Sequence, residues 1–313
     1  MNLCYTDSMK KTGPGFYPEE IIFCPTSLCN LKCAHCFVEQ KNSRLNSDDA
    51  LAFLDDCLGH LSDFKIGFSG GEPFLALDFV NSICKKAYDA GLMFDRLMTN
   101  GVWWNSEDDL ADKLTSVKDA GFDGKIGLSF DAFHGQSMDR ICTFIETCHK
   151  IFSDNSCVEI LSVIDAKNPQ ADSEWFENQI KGIKKRLDLE WITFYRFPQS
   201  FVPPENIVLE EKKWFTEDYC QSTGNVLYVH ADGNIAPCCG FANERPELFI
   251  GTIKDSFEVL MKNAQANKMV GICYEKGLLE KARELQKAKI LPKGKCGDMC
   301  QLCWWMCGHA DEI

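Results

Sequence analysis

The sequence lacks the features that mark several large classes of protein. It has no cluster of lysine and arginine, and its 33 basic residues stand against 46 acidic ones, for a net charge of −13. Because a duplex-binding surface needs a basic stripe, nucleic acid is not expected as a partner. No apolar run approaches the roughly 20 residues of a membrane-spanning helix, so no membrane partner is expected. The first residues have no apolar core typical of a signal peptide, which predicts a cytoplasmic protein.

Hydrolytic machinery and repeats are also missing. The sequence shows no convincing Ser-His-Asp set or catalytic carboxylate pair, no internal repeat and no low-complexity tract. With 45% hydrophobic and 25% charged residues, the composition is typical of a folded protein. Its 313 residues are enough for one large domain or two smaller ones of roughly 150 residues.

Cysteine, in contrast, is abundant, at 18 of the 313 residues. In a long chain without an export signal, this number indicates metal or iron–sulfur binding, or packing of small apolar side chains, rather than disulfides. Seven scattered cysteines are predicted to be core residues: Cys4, Cys24, Cys57, Cys84, Cys142, Cys148 and Cys157. The others form two groups, one within 29–36 and one from Cys220 onward.

Short apolar runs alternate with amphipathic stretches between residues 20 and about 197. The short runs predict six buried strands at 21–23, 65–69, 96–99, 125–130, 158–164 and 191–195. Helical spacing predicts helices at 47–61, 77–90, 108–120, 138–152 and 174–187, the first capped by Ser47. This alternation predicts an α/β fold whose parallel sheet, with right-handed crossovers, curls into a barrel or part of one. Active sites of such barrels lie at the carboxyl ends of the strands.

The pattern changes after Phe197. A proline-rich connector is followed by a predicted hairpin around Asp232-Gly233, and then by helical patterns at 256–267 and 278–288. The predicted organisation is an N-terminal extension at 1–19, a barrel at 20–200 and a small C-terminal domain at 201–313.

The first cysteine group is a C-x3-C-x2-C motif made by Cys29, Cys33 and Cys36, in the loop after the first predicted strand. Three thiolates can bind three irons of a 4Fe-4S cluster and leave the fourth iron open to a substrate or cofactor. A zinc site completed by His35, or simple loop packing, is the alternative. The second predicted strand is followed by Gly70-Gly71-Glu72-Pro73, where two glycines let the backbone approach a ligand closely.

Together, CNLKCAHC and SGGEP resemble the cluster loop and the cofactor loop of the radical S-adenosylmethionine (SAM) superfamily. The resemblance covers about residues 20–200 and implies a partial (β/α)6 barrel. It implies that Cys29, Cys33 and Cys36 ligate a 4Fe-4S cluster whose open iron binds SAM. Reductive cleavage of SAM would then give a deoxyadenosyl radical that takes a hydrogen atom from the substrate.

The same resemblance implies the residues that contact SAM. Gly70, Gly71 and Glu72 would contact its amino group, and His35 stands where the family usually has an aromatic residue near the adenine. Four strand-end residues are further candidates: Thr99, Asn100, Ser129 and Asp131. For these four, ordinary strand-end hydrogen bonding is the alternative.

The second cysteine group resembles the auxiliary-cluster domains called SPASM or twitch. Cys220 and Cys238 fit a C-x12-G-x4-C pattern, and Cys300 and Cys303 supply a C-x2-C pair. The resemblance implies that these four ligate at least one auxiliary 4Fe-4S cluster; a zinc ribbon is the alternative. It leaves three cysteines without a role: Cys273, Cys296 and Cys307.

The Pro-Cys-Cys in DGNIAPCC resembles that of radical SAM peptide epimerases, which implies that Cys239 donates a hydrogen atom to a substrate radical. The expected function is L-to-D epimerisation of residues in a ribosomally made peptide, with an electron donor such as flavodoxin or ferredoxin. One alternative is a cross-linking or dehydrogenating enzyme whose auxiliary cluster accepts an electron from the substrate. Another is a non-catalytic iron–sulfur or zinc protein.

Overall fold

The structure is a computed structural model that describes residues 16–165, 167–198, 207, 209–215, 220 and 224–313. The prediction for Cys4, most of the N-terminal extension and most of the proline-rich connector lie outside these residues.

Six parallel strands alternate with five helices in the first part of the chain, as the apolar pattern predicts. The strands are β1 (Glu20–Phe23), β2 (Lys65–Phe68), β3 (Met93–Thr99), β4 (Lys125–Ser129), β5 (Val158–Ile164) and β6 (Thr193–Pro198). The helices are α1 (Ser47–His60), α2 (Leu77–Asp89), α3 (Glu107–Asp119), α4 (Met138–Phe152) and α5 (Pro169–Arg186). The α/β partial-barrel prediction is therefore confirmed.

The C-terminal part continues the same sheet. Strand β7 (Val226–Val229) pairs in parallel with β1, and β8 (Asn234–Ala236) and β9 (Gly251–Thr252) follow in antiparallel pairing. The sheet order is β6-β5-β4-β3-β2-β1-β7-β8-β9. The hairpin predicted at Asp232-Gly233 is the β7–β8 connection, and Gly233 has the positive φ of 89° that such a turn requires.

Helices complete the C-terminal part. They are α6 (Phe257–Ala266), α7 (Lys268–Gly271), α8 (Leu278–Lys287) and α9 (Met299–Cys307), with a π-helical turn at Ile272–Lys276. The sequence pattern indicated α6 and α8 but not α9, whose first turn is capped by the Asp298 side chain. Within the described ranges, none of the helices has the length and hydropathy to cross a lipid bilayer.

Apolar side chains from the strands and from the inner helix faces form one large core. Six of the cysteines predicted to be core residues are buried: Cys24, Cys57, Cys84, Cys142, Cys148 and Cys157. Burial also explains why these thiols stay protonated, since an apolar environment disfavours the thiolate.

The cap of one helix and the start of another differ from the prediction. The cap of α1 is Asn46 and not Ser47, because the Asn46 side chain accepts a hydrogen bond from the Asp49 amide at 2.9 Å. Helix α5 begins at Pro169 instead of Glu174. A proline in the first turn gives up no hydrogen bond, so the helix extends back to it.

Candidate functional site

The carboxyl ends of the parallel strands surround a cavity of about 280 Å³. All but one of the residues predicted to hold the first cluster or SAM line it: Cys29, Cys33, His35, Cys36, Gly70, Gly71, Thr99, Asn100, Ser129 and Asp131. These residues come from the loops after β1, β2, β3 and β4. The fold therefore brings together, in one concave site, positions separated by up to about a hundred residues in the sequence.

The two glycines after β2 are required by close packing against the cysteine loop. Gly70 has a φ of 110°, and a Cβ on it would lie 2.1 Å from the Cys24 sulfur. A Cβ on Gly71 would lie 2.1 Å from the Leu28 carbonyl oxygen. The Gly71 amide donates to the Thr26 carbonyl at 3.0 Å. Only glycine allows the two loops to lie this close together.

Those contacts also determine which backbone groups of the glycine loop have a protein partner. The amides of Gly71 and Glu72 donate to carbonyls of the cysteine loop, at 3.0 and 2.7 Å. Among the described residues, no protein donor hydrogen-bonds to the carbonyl oxygen of Gly70 or Gly71. This edge of the cavity therefore suits a ligand that donates hydrogen bonds, such as an ammonium group.

Glu72 is the predicted contact residue that does not line the cavity. Its carboxylate is fully buried behind the wall, where it accepts hydrogen bonds from the Thr99 hydroxyl and the Asn100 amide, each at 2.9 Å. Burial raises the pKa of Glu72 to about 7. The structure thus gives Glu72 the role of tying the end of β3 to the glycine loop.

Asn100 connects the end of β3 to the cysteine loop. Its side-chain amide lies 3.6 Å from the Cys29 sulfur and donates to the Asn30 side chain at 2.8 Å. Thr99, in contrast, uses its hydroxyl for Glu72, the Gly101 amide and the Trp103 indole. Strand-end hydrogen bonding therefore accounts for the Thr99 side chain, while Asn100 contacts a predicted cluster ligand.

Asp131 and His134 form a buried pair at the end of β4. The His134 Nδ1 atom lies 2.7 Å from an Asp131 carboxylate oxygen, and the Val163 amide donates to the other oxygen at 3.3 Å. Burial alone would lower the pKa of His134, but hydrogen bonds with Asp131 and Cys33 outweigh it and raise that pKa to about 9. The pair therefore places the His134 imidazole beside Cys33, a predicted cluster ligand.

His35 lies against this pair, with its ring centroid 5.0 Å from that of His134. Burial lowers the pKa of His35, which favours the neutral imidazole. A neutral, buried ring on the cavity wall offers the flat surface that the resemblance expects beside an adenine.

The lining residues that were not identified from the sequence include two polar ones, His134 and Ser162. His134 lies three positions after Asp131, a spacing that could have indicated a local pair. The Ser162 hydroxyl, on β5, is buried and has no hydrogen-bond partner among the described residues. An unsatisfied buried hydroxyl on a cavity wall fits a polar ligand group.

Ligand spacing identifies one compact group of polar side chains. In the described part of the chain, one trio of potential metal ligands has its atoms all within 4.8 Å of one another: His35, Asp131 and His134. No three described cysteines of either group lie that close, although the Cys273 and Cys303 sulfurs are 3.6 Å apart. Thiolates that bind different irons of a 4Fe-4S cube do not need such close spacing.

Burial disfavours the thiolate form of two of the predicted cluster ligands, Cys29 and Cys36. Burial raises the pKa of Cys29 to about 11, and it raises the pKa of Cys36 as well. Iron binds the thiolate form, so the positive charge of the irons must compensate for the loss of these protons. The sulfurs, the cavity and the unpaired carbonyls together fit a 4Fe-4S cluster with SAM.

The C-terminal cysteines form a second sulfur-rich site. Cys238 is buried, and burial is the main cause of its raised pKa. The charges of four other cysteines also raise it: Cys220, Cys239, Cys300 and Cys273. Of the four ligands predicted, Cys220, Cys238 and Cys300 therefore lie together. The fourth, Cys303, lies on the same helix as Cys300 and 3.6 Å from Cys273.

Cys296 and Cys239 differ in their surroundings. The Cys296 thiol donates to the Asp298 carbonyl at 3.2 Å and to the Gln301 side chain at 3.1 Å. Cys239 is exposed. Burial is the main cause of the raised pKa of Tyr228, and the charge of Cys239 adds to it. Tyr228 is on strand β7, which pairs with β1. Cys239 thus lies near both the second sulfur site and Tyr228.

Comparison with known proteins agrees with this geometry. A family model described as a 4Fe-4S single cluster domain matches residues 12–136. GTP 3′,8-cyclase of Limosilactobacillus fermentum is 29% identical over 113 residues, which cover 34% of this chain and 32% of that protein. The match therefore spans about a third of that relative's length. The "Putative peptide biosynthesis protein YydG" of Bacillus subtilis is 21% identical over 92% of this chain and 91% of its own.

Solved structures share the fold along most of the chain. A histidine-tagged form of anSMEcpe with bound AdoMet, another abbreviation for SAM, has a TM-score of 0.60 at 16% identity, covering 89% of this chain and 86% of that one. BtrN in complex with AdoMet and 2-DOIA has a TM-score of 0.53 at 14% identity, covering 83% and 88%. These structures share the partial barrel, and the family model matches the segment that carries the cysteine and glycine loops of the cavity.

Proposed function

We propose that this protein cleaves SAM reductively and inverts α-carbons, from L to D, in a ribosomally made peptide. The observation that carries the proposal is Cys239, an exposed thiol next to Cys238 in the second sulfur-rich site. The near full-length similarity to YydG, whose name refers to peptide biosynthesis, supports a peptide substrate. So does the shared fold of anSMEcpe, which has been solved with AdoMet and the Cp18Cys peptide at a TM-score of 0.55.

The residues of the cavity hold the cofactors in place. Cys29, Cys33 and Cys36 would ligate the cluster, which together with SAM supplies the abstraction of a hydrogen atom. The carbonyls of Gly70 and Gly71 would accept hydrogen bonds from the SAM ammonium group. The Ser162 hydroxyl, buried and without a protein partner among the described residues, would bind a ribose or substrate oxygen. Apolar lining residues exclude water and so protect the reactive intermediate.

Cys239 would complete the inversion. Loss of a hydrogen atom leaves the α-carbon planar, and the Cys239 S–H group gives a hydrogen atom to the face opposite the one attacked. Cys239 is then a thiyl radical, which needs one electron and one proton to become a thiol again. A flavodoxin or ferredoxin would supply the electron, as it does to the first cluster, and water the proton. Such chemistry requires the low-oxygen cytoplasm that the sequence predicts.

A second function keeps the fold but changes the product. Cys220, Cys238, Cys300 and Cys303 would hold an auxiliary cluster, and the three buried or half-buried sulfurs around Cys238 favour one. Such a cluster could accept an electron from the substrate radical, giving a cross-linked or dehydrogenated peptide. Product mass separates the two functions, because epimerisation leaves the mass unchanged and oxidation removes two hydrogens.

The test is the Cys239→Ala variant in heavy water, with the reconstituted protein under anaerobic conditions. We expect it to form 5′-deoxyadenosine but no D-residue, while wild type introduces one deuterium at each inverted α-carbon. Cys142→Ala is the matched control, since that cysteine lies on α4 and does not line the cavity. Normal epimerisation by Cys239→Ala would refute the donor role. Absence of SAM cleavage in wild type would instead favour a non-catalytic iron–sulfur protein.

A further inference from the structure

The pairing of β3 with β4 stops just before the two strands reach the cavity. The last pair of their parallel ladder is Thr99 opposite Leu128. The next residues, Asn100 and Ser129, both line the cavity, and both are candidates for contacts with SAM. Because the ladder ends before them, another group must set the distance between these two strand ends.

The side chain of Gln136 bridges the two strand ends. Its Nε2 atom donates to the Asn100 carbonyl at 2.6 Å and to the Ser129 carbonyl at 2.7 Å. A primary amide has two N–H groups, so one side chain can serve both acceptors. The Gln136 Oε1 atom is buried and has no hydrogen-bond partner in the part of the chain that the structure describes. Since a buried acceptor without a partner costs free energy, the two donors are what the fold uses of this side chain.

The backbone after Gln136 is fixed on the loop that follows β3. Ser137 caps α4 by accepting a hydrogen bond from the Arg140 amide at 3.3 Å. The Arg140 guanidinium donates in turn to the carbonyls of Val102 and Trp104. The start of α4 is therefore docked on that loop, and it holds Gln136 at the strand ends.

We propose that Gln136 is a positioning residue for SAM, which holds Asn100 and Ser129 at the separation that the cofactor needs. The inference rests on SAM binding in the proposed function but not on epimerisation. Gln136 is not among the described residues that line the cavity, so it acts through the two residues that it holds. Both of its hydrogen bonds end on β3 and β4 and not on the cysteine or glycine loop. Their loss should therefore weaken SAM binding more than it slows the cleavage of bound SAM.

The experiment compares Gln136→Met, which has a similar length but no donor, with the matched control Gln286→Met. Gln286, on α8, makes the same kind of bridge, since its Nε2 atom donates to the carbonyls of Pro292 and Gly294 at 2.8 and 2.9 Å. Both substitutions remove two hydrogen bonds, but only the first removes them beside the cavity. Gln136→Lys restores donors without an acceptor, because a lysine ammonium group carries only N–H donors.

SAM binding is measured by equilibrium dialysis with the anaerobically reconstituted full chain. The KM for SAM and kcat come from 5′-deoxyadenosine formation with a chemical reductant. We expect Gln136→Met to raise Kd and KM for SAM by about tenfold and to keep kcat within about twofold of wild type. Gln136→Lys should recover most of the affinity, and Gln286→Met should bind SAM as wild type does.

An unchanged Kd in Gln136→Met would overturn the proposal. Equal weakening in Gln286→Met would also overturn it, by indicating a general loss of stability, and so would a Gln136→Lys variant that binds as weakly as Gln136→Met. If Gln136→Met does not fold, Gln136→Asn takes its place with the same expectation, because its side chain is one methylene too short to reach both carbonyls. If wild type itself does not bind SAM, the proposed function is wrong, and this proposal falls with it.

Discussion

Replacing Gly71 with alanine should separate the two loops that form the cofactor cavity. The new Cβ would lie 2.1 Å from the Leu28 carbonyl oxygen and 2.8 Å from the Ser27 carbonyl carbon, where ordinary contacts begin at 3.4 Å. The obstructing atoms are backbone atoms, so one loop must move by about 1.3 Å, the difference between 3.4 and 2.1 Å. A misplacement of about 1 Å in a reacting group costs about 100-fold in rate, which corresponds to about 2.7 kcal/mol.

The assay is the rate of 5′-deoxyadenosine formation by the anaerobically reconstituted protein, with a chemical reductant and saturating SAM. Gly59→Ala is the matched control, because a Cβ on that residue of α1 meets nothing within 4 Å. Circular dichroism and iron content show whether each variant is folded and loaded. We expect Gly71→Ala to lose about 100-fold and Gly59→Ala to keep the wild-type rate. A folded, iron-loaded Gly71→Ala protein with a rate within twofold of wild type would refute the close-packing argument.

Two further results are expected. Asn100→Ala removes the amide that contacts Cys29 and Asn30, so SAM cleavage should fall by about tenfold, or about 1.4 kcal/mol; an unchanged rate would show that these contacts do not position the cluster loop. Burial lowers the pKa of His230 to about 4, whereas the unfolded chain has about 6.5. As the pH falls, the unfolded state therefore binds the proton at a higher pH than the folded state. The free energy of unfolding should fall by about 3 kcal/mol as the pH drops from about 6.5 to about 4. Urea unfolding at several pH values measures this loss, and His230→Gln should show a flatter profile than wild type.

Local spacing was sufficient to predict much of this site. The ligand motif at Cys29, Cys33 and Cys36 and the glycine pair lie within short segments directly after apolar strands. Because parallel strands present their carboxyl ends on one side of a sheet, strand order alone predicted that these segments would meet.

What the sequence could not indicate depends on contacts between distant residues. Glu72 was predicted to contact SAM, but the hydrogen bond of its buried carboxylate with Thr99, 27 positions away, was not predicted. The contact between Cys273 and Cys303 joins residues 30 positions apart, through a turn and a helix that had no distinct pattern. The Ser162 side chain was hidden in an apolar strand, where a single serine is not informative without the cavity beside it.

Strand β1 is shared by the two halves of the chain. It pairs with β2 on one side and with β7 on the other, where the register runs from Glu20 opposite Val226 to Phe23 opposite Val229. The halves therefore cannot swing or slide past each other without breaking a ladder of buried hydrogen bonds. The separation of the two sulfur-rich sites is therefore set by a continuous sheet and not by a hinge.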